Sequence, residues 1–220
     1  NNLRFNIKSV ENISDLLKKI KLNIKSIPEE KNLFVKKIIL NDISFEYGEK
    51  KILNNINYKF ETGKIYGLKG ESGSGKTTLI DLILGLLKPS KGEIYINNID
   101  IIKNNISGKK YASYVPQDIY LSDCSIAENI AFGLNYNDIN FQKLESILEK
   151  SNLFEFIKKL TEGYKTEVGE KGVKLSGGQR QRINLARSFY QNRDFMILDE
   201  ATNELDTNTE EKVLSNLISQ

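Results

Sequence analysis

Gly70-Glu71-Ser72-Gly73-Ser74-Gly75-Lys76-Thr77-Thr78 decides how the rest of this 220-residue chain is read. Before it, Lys64 to Lys69 reads as a short strand. After it, Thr77 to Leu87 carries apolar residues at helical spacing and stops ahead of Pro89. A turn of the form G-x-x-x-x-G-K-[ST] between a strand and a helix is a phosphate-binding loop. Its glycines let backbone N–H groups turn inward around a phosphate chain, and the helix N-terminus adds partial positive charge. Gly70, Glu71, Ser72, Gly73, Ser74 and Gly75 are thus the candidate cradle. Lys76 is placed to reach the β- and γ-phosphates, Thr77 to offer its hydroxyl to Mg²⁺, and Thr78 to follow in the first helical turn.

Working outward, the period shifts toward two from Phe34. Val35 to Tyr47 and Ile52 to Phe60 read as paired strands turning at Gly48 and Glu49. Gly92 to Ile96 and Tyr111 to Val115 are further strands. Ser125 to Phe132, Phe141 to Lys150 and Leu153 to Leu160 read as helices, and a helix from about Ser176 continues through Tyr190. Phe195 to Leu198 is fully apolar, as a buried strand is, and Thr209 to Ile218 closes with a helix. Strands alternating with helices predict an α/β fold with a mainly parallel core sheet covered on both faces. Ahead of it, Val10, Ile13, Leu16, Leu17, Ile20, Ile24 and Ile27 mark an amphipathic helix ended by Pro28. Residues 1–32 are therefore expected to be a helix and linker, and 33–220 the domain proper.

Two further segments carry chemistry. Phe195-Met-Ile-Leu-Asp199-Glu200 sets two carboxylates at the end of an apolar strand, the edge where open α/β sheets bind ligands. Asp199 is the candidate Mg²⁺ holder and Glu200 the candidate base that polarises an attacking water. Leu175-Ser-Gly-Gly-Gln179 has Ser176 and Gln179 at capping-box spacing, so a helix is predicted to start there. Gly177 and Gly178 leave that helix start open to an anion. Five fixed residues of this kind occur by chance in well under about one in a thousand chains of this length.

Composition removes several classes. The net charge of +3 is small and the basic residues are scattered, so no nucleic-acid footprint is expected. No histidine is present, which excludes a histidine metal site or triad in this sequence. The single Cys124 cannot make an internal disulfide. No apolar run approaches the roughly 20 residues of a membrane-spanning helix.

From about Leu33 onward the chain resembles the nucleotide-binding domain of ATP-binding cassette (ABC) transporters. The resemblance implies a P-loop NTPase fold with an antiparallel β subdomain, a helical subdomain at about residues 117–180 bearing the LSGGQ segment, and ATP with Mg²⁺. It implies that two such domains dimerise head to tail. Ser176, Gly177, Gly178 and Gln179 then complete the site held by the phosphate loop of a second copy. It implies that Tyr47 stacks on adenine, and that Gln117 in Val-Pro-Gln-Asp118 touches Mg²⁺ and the attacking water. Asn203-Glu-Leu-Asp206 departs from the family's Ser-Ala-Leu-Asp, keeping only Leu205 and Asp206. The family's histidine after the acidic pair, and the closing strands of its sheet, are expected beyond Gln220, so both ends are expected to be cuts in a longer chain.

Val115 to Gly133 and Thr166 to Gly172 resemble the exporter branch, in which each motor follows its own membrane domain. That implies a homodimer on the cytoplasmic face of a bacterial inner membrane. The cargo implied is a lipid, a lipid-linked saccharide, a peptide or a drug. Importer motors, DNA-repair and chromosome ATPases, ribosome-acting cassettes and a non-hydrolysing regulator stay open as alternatives. The intact Glu200 speaks against the last.

Overall fold

The computed structural model describes residues 33–218; the amphipathic segment Val10 to Ile27 and its linker lie outside them. Strands β1 (Lys37–Tyr47) and β2 (Lys50–Glu61) form an antiparallel hairpin, turned at Gly48 and Glu49 as the sequence predicts. With β3 (Lys91–Ile96) and the short β4 (Ile99–Asp100) they make one sheet in the order β2-β1-β3-β4. The register of β1 against β2 shifts at three places, first between Leu40 and Ile43. Asp42 takes up the extra residue at φ 50°, and Asn57 closes the bulge by accepting from its N–H at 2.9 Å and donating to its carboxylate at 2.7 Å.

Helix α1 (Lys76–Ile83) covers this sheet. Leu79, Leu82 and Ile83 pack with Ile38, Leu40 and Ile43 of β1 and Ile94 and Ile96 of β3 in one buried cluster. Each such side chain withdrawn from water contributes about 1.5–3 kcal/mol. The sheet therefore fixes where α1 begins, and with it the phosphate loop.

The second body is helical. Helices α2 (Ile126–Ile130), α3 (Phe141–Lys150) and α4 (Phe154–Lys158) gather around α5 (Gly177–Gln191). Ile126, Ile130, Leu144, Leu148, Ile183 and Ala186 form the centre of its core. Arg187 of α5 donates to the carbonyls of Asn129 (2.9 Å) and Tyr120 (3.1 Å), tying the segment after Gln117 to α5. Asn192 ends α5 in the left-handed conformation, at φ 49°. Helix α6 (Thr207–Ile218) closes the described chain.

The strands that flank the helical body in sequence, β5 (Ala112–Val115) and β6 (Phe195–Leu198), pair in parallel, Val115 opposite Leu198. The bond from Asp199 N–H to Val115 O, 2.9 Å, carries the ladder one step further. Residues just past both strands must then lie side by side, which brings Gln117 to Glu200. Among the described residues the parallel ladder holds two strands and the larger sheet is antiparallel, and Lys64 to Lys69, expected as a strand, has no ladder. Its apolar residues Ile65 (75%) and Leu68 (53%) are exposed. A strand exists only through its neighbours, so an apolar run without a paired edge stays extended and unassigned.

Candidate functional site

The phosphate loop is shaped by its glycines and by Lys76. Gly73 and Gly75 sit at φ 78° and 93°, conformations that side chains rarely adopt. A Cβ on Gly75 would come within 2.9 Å of Ile52 Cγ2, so the glycine also lets the start of α1 press against β2. Lys76 Nζ donates back to the carbonyls of Gly70 (2.8 Å) and Glu71 (2.9 Å), and Ser74 N–H to Glu71 O (3.2 Å). An ammonium has three donors, so one remains for an anion. Gly75, the N-cap of α1, offers no side-chain cap to the first-turn amides, which are the groups a phosphate takes up. Glu71, Ser72, Ser74 and Thr77 are exposed, and Thr78 is half-buried.

Asp199 and Glu200 leave β6 in different directions. Tyr114 of β5 donates its hydroxyl to Asp199 Oδ2 at 3.2 Å. Burial first, then the Asp199 charge, pushes the Tyr114 hydroxyl up to about 12, so it stays a donor at neutral pH. Burial and then the same Asp199 charge raise the carboxyl of Asp81 on α1. Asp199 therefore lies within electrostatic reach of the helix that follows the phosphate loop.

Glu200 turns back at φ 50° and presents its carboxylate to two amides. Gln117 Nε2 and Asn203 Nδ2 both donate to Oε2, each at 2.9 Å. That leaves Oε1 as the oxygen for another partner. The structure thus unites Gln117 and Glu200, candidates 83 positions apart.

The LSGGQ segment forms the predicted capping box. Ser176 N–H donates to Gln179 Oε1 at 2.8 Å, and Gln179 N–H to Ser176 Oγ at 3.3 Å. Among the described hydrogen bonds none joins Ser176–Gln179 to the phosphate loop. Gly177 faces Glu204 instead: a Cβ there would meet Glu204 Oε2 at 1.9 Å. Tyr47 ends β1 with its ring 53% exposed and edge-on to Phe45 at 4.8 Å.

Sequence reasoning missed Tyr114, Asp81 and Gln181, and quoted Asn203 only as a departure from a pattern. Tyr114 stands on the strand that leads to Gln117, and that position is the one signal that could have marked it.

The donor set suits a hard divalent cation. The Thr77 hydroxyl and the Asp199 carboxylate are oxygen ligands, and Asp199 keeps Oδ1 clear of the Tyr114 bond. Among the described residues no cluster of three or more His, Cys, Asp or Glu could hold a metal. Oxygen donors of this kind are those a Mg²⁺ site uses, one or two from the protein with the rest from phosphates and water.

Known proteins resemble this chain. A family model described as ABC transporter matches residues 53–203. The ATP-dependent lipid A-core flippase of Francisella novicida is 37% identical over 177 residues, covering 80% of this chain and 30% of that protein. The multidrug resistance protein pgp-1 of Caenorhabditis elegans is 37% identical over 206 residues, covering 91% of this chain and 16% of that protein. The structure of a bacterial Atm1-family ABC exporter with ATP bound matches with a TM-score of 0.82 at 30% identity, over 96% of this chain and 38% of that chain. This chain spans less than a third of the curated relatives' own length. Phosphate loop, paired Gln117 and Glu200, and capped LSGGQ helix together with these matches place the chain in the ABC transporter family, as a nucleotide-binding domain.

Proposed function

We propose that this chain is the ATP-hydrolysing motor of an ABC exporter, driving transport as a head-to-tail pair beneath a fused membrane domain. The observation that carries this reading is the grip of Gln117 on Glu200 at the carboxyl ends of two parallel strands. A carboxylate fixed through one oxygen can orient a water with the other, which is the task of a base in phosphoryl transfer to water. Lys76 and the amides of Gly70 to Thr78 bind the phosphates, and Tyr47 stacks on the adenine. Thr77, Asp199 and Gln117 hold Mg²⁺, which neutralises phosphate charge when bound.

Ser176 to Gln179 make no described hydrogen bond to this chain's own loop, and in this reading they serve the site of a second, identical copy. Among the described residues no helix is long and apolar enough to cross a membrane. The transported cargo is therefore handled by another part of the protein. The relatives named as a lipid A-core flippase and a multidrug resistance protein support an amphipathic cargo. In this reading the motor sits on the cytoplasmic face of a membrane, with no nucleic-acid partner. Residues 33–220 act as the motor, the helical part near 117–180 contacts the membrane domain, and 1–32 form the link to it.

Glu200→Gln in the intact transporter tests this reading. The expected result is a turnover loss of about 10²–10⁴-fold, with an ATP-bound dimer accumulating in size-exclusion chromatography. Unchanged turnover would remove Glu200 from the role of base and with it the proposed motor.

A further inference from the structure

Gln181 lies on α5, just past the capping box, and is only 3% exposed. Its Nε2 donates to Glu200 O at 3.3 Å, and its Oε1 accepts from Glu204 N–H at 2.9 Å. A buried amide satisfied at both ends by one stretch of backbone sets where that stretch lies and which way it faces. This stretch requires such a hold, because Glu200 adopts a left-handed φ of 50° that non-glycine residues avoid. The same stretch abuts the start of α5. Cβ atoms on Gly177 and Gly178 would meet Glu204 Oε2 at 1.9 Å and Glu204 O at 3.1 Å. Gly178 thus admits the backbone of the turn, and Gln181 pins it.

We infer that Gln181 is a positioning residue that locks Glu200 to the N-terminus of α5, so that Ser176–Gln179 and Glu200 move as one body. Ser176–Gln179 serve the site of a second copy and Glu200 serves the chain's own. An anion docking on α5 therefore acts on Glu200 through Gln181. This inference rests on the reading of Glu200 as the group that orients the attacking water.

Steady-state ATP turnover of the intact transporter tests it in Gln181→Met, Gln181→Glu and Glu200→Gln. Methionine matches the length and fills the space without hydrogen bonds. Glutamate keeps an acceptor for Glu204 N–H and loses the donor to Glu200 O. In Gln181→Met, kcat is expected to fall by about ten- to a hundredfold, as for a misplaced catalytic group, with KM for ATP within about twofold of the parent. Gln181→Glu is expected to lose at least as much of kcat, since it turns a buried carboxylate oxygen toward Glu200 O with no donor between them, again at unchanged KM. Should Gln181→Met fail to fold, the glutamate variant decides by the same split of kcat from KM.

Full kcat in the Gln181 variants beside an inactive Glu200→Gln overturns the inference and leaves the proposed motor standing. A loss shared equally by KM and the thermal midpoint also overturns it, because Gln181 would then serve packing alone. Full turnover in Glu200→Gln overturns the motor reading, and the inference falls with it.

Discussion

The phosphate loop and the turn after β6 both end in a charged group, yet their supports come from different distances. Around the loop, the described hydrogen bonds of Lys76 span no more than six positions, to Gly70 and Glu71. Around Glu200, Gln117 reaches in from 83 positions away and Gln181 from 19, with Asn203 as the local third. The loop, placed by the sheet beneath α1, is thus closed by local bonds of Lys76, with one ammonium donor left for an anion. The turn is held by other elements before any ligand arrives. Binding can tolerate the first kind of construction, since the ligand itself orders the loop. Chemistry needs the second, because a base must be in place at the moment of reaction.

That contrast can be broken or sharpened by substitution. Lys76→Ala should produce the largest effect, a loss of ATP affinity of about ten- to a hundredfold, from removing hydrogen bonds made by a charged group. The unfolding midpoint should stay put, since the lysine's own bonds are local; isothermal titration and a melt check both. A large fall in stability would show that the loop is a tertiary element after all. Gly75→Ala should cost about 1–3 kcal/mol of stability, because alanine is strained at φ 93° and its Cβ crowds Ile52. Urea denaturation reads this, and a neutral result would mean that β2 and α1 are not tightly abutted.

Asn203→Ala removes one of the two amides on Glu200 Oε2 while Gln117 remains. Turnover should fall by about two- to tenfold, the worth of one hydrogen bond, with ATP affinity unchanged. A loss as deep as that of Glu200→Gln would mean that Asn203 alone holds the base. The smallest effect belongs to Tyr114→Phe, which frees Asp199 Oδ2. The Mg²⁺ concentration for half-maximal turnover should shift by about two- to fivefold. An unchanged requirement would separate Tyr114 from the metal site.

The same distinction explains what could be read from the sequence. The phosphate loop and the LSGGQ capping box were legible because their partners lie within a few positions, Lys76 with Gly70 and Ser176 with Gln179. The hairpin turn at Gly48 and the helix Phe141–Lys150 were legible for the same reason. Lys64 to Lys69 was not, since only pairing turns an apolar run into a strand. Gln181 and Tyr114 were silent because their partners, Glu200 and Asp199, lie 19 and 85 positions away. Asn203 stood in view as a replaced residue. Its meaning came only when the turn folded its amide onto Glu200.

The central claim is that the chain binds ATP by its own loop and completes the site of another copy with Ser176. Ser176→Arg in the intact transporter tests it directly, with fluorescent ATP binding and ATP turnover measured on the same preparation. The account predicts binding within about twofold of the parent and turnover reduced by about a hundredfold or more, as for a lost transition-state contact. Turnover that persists at the parent's rate, or ATP binding lost along with it, would contradict a site shared between two copies.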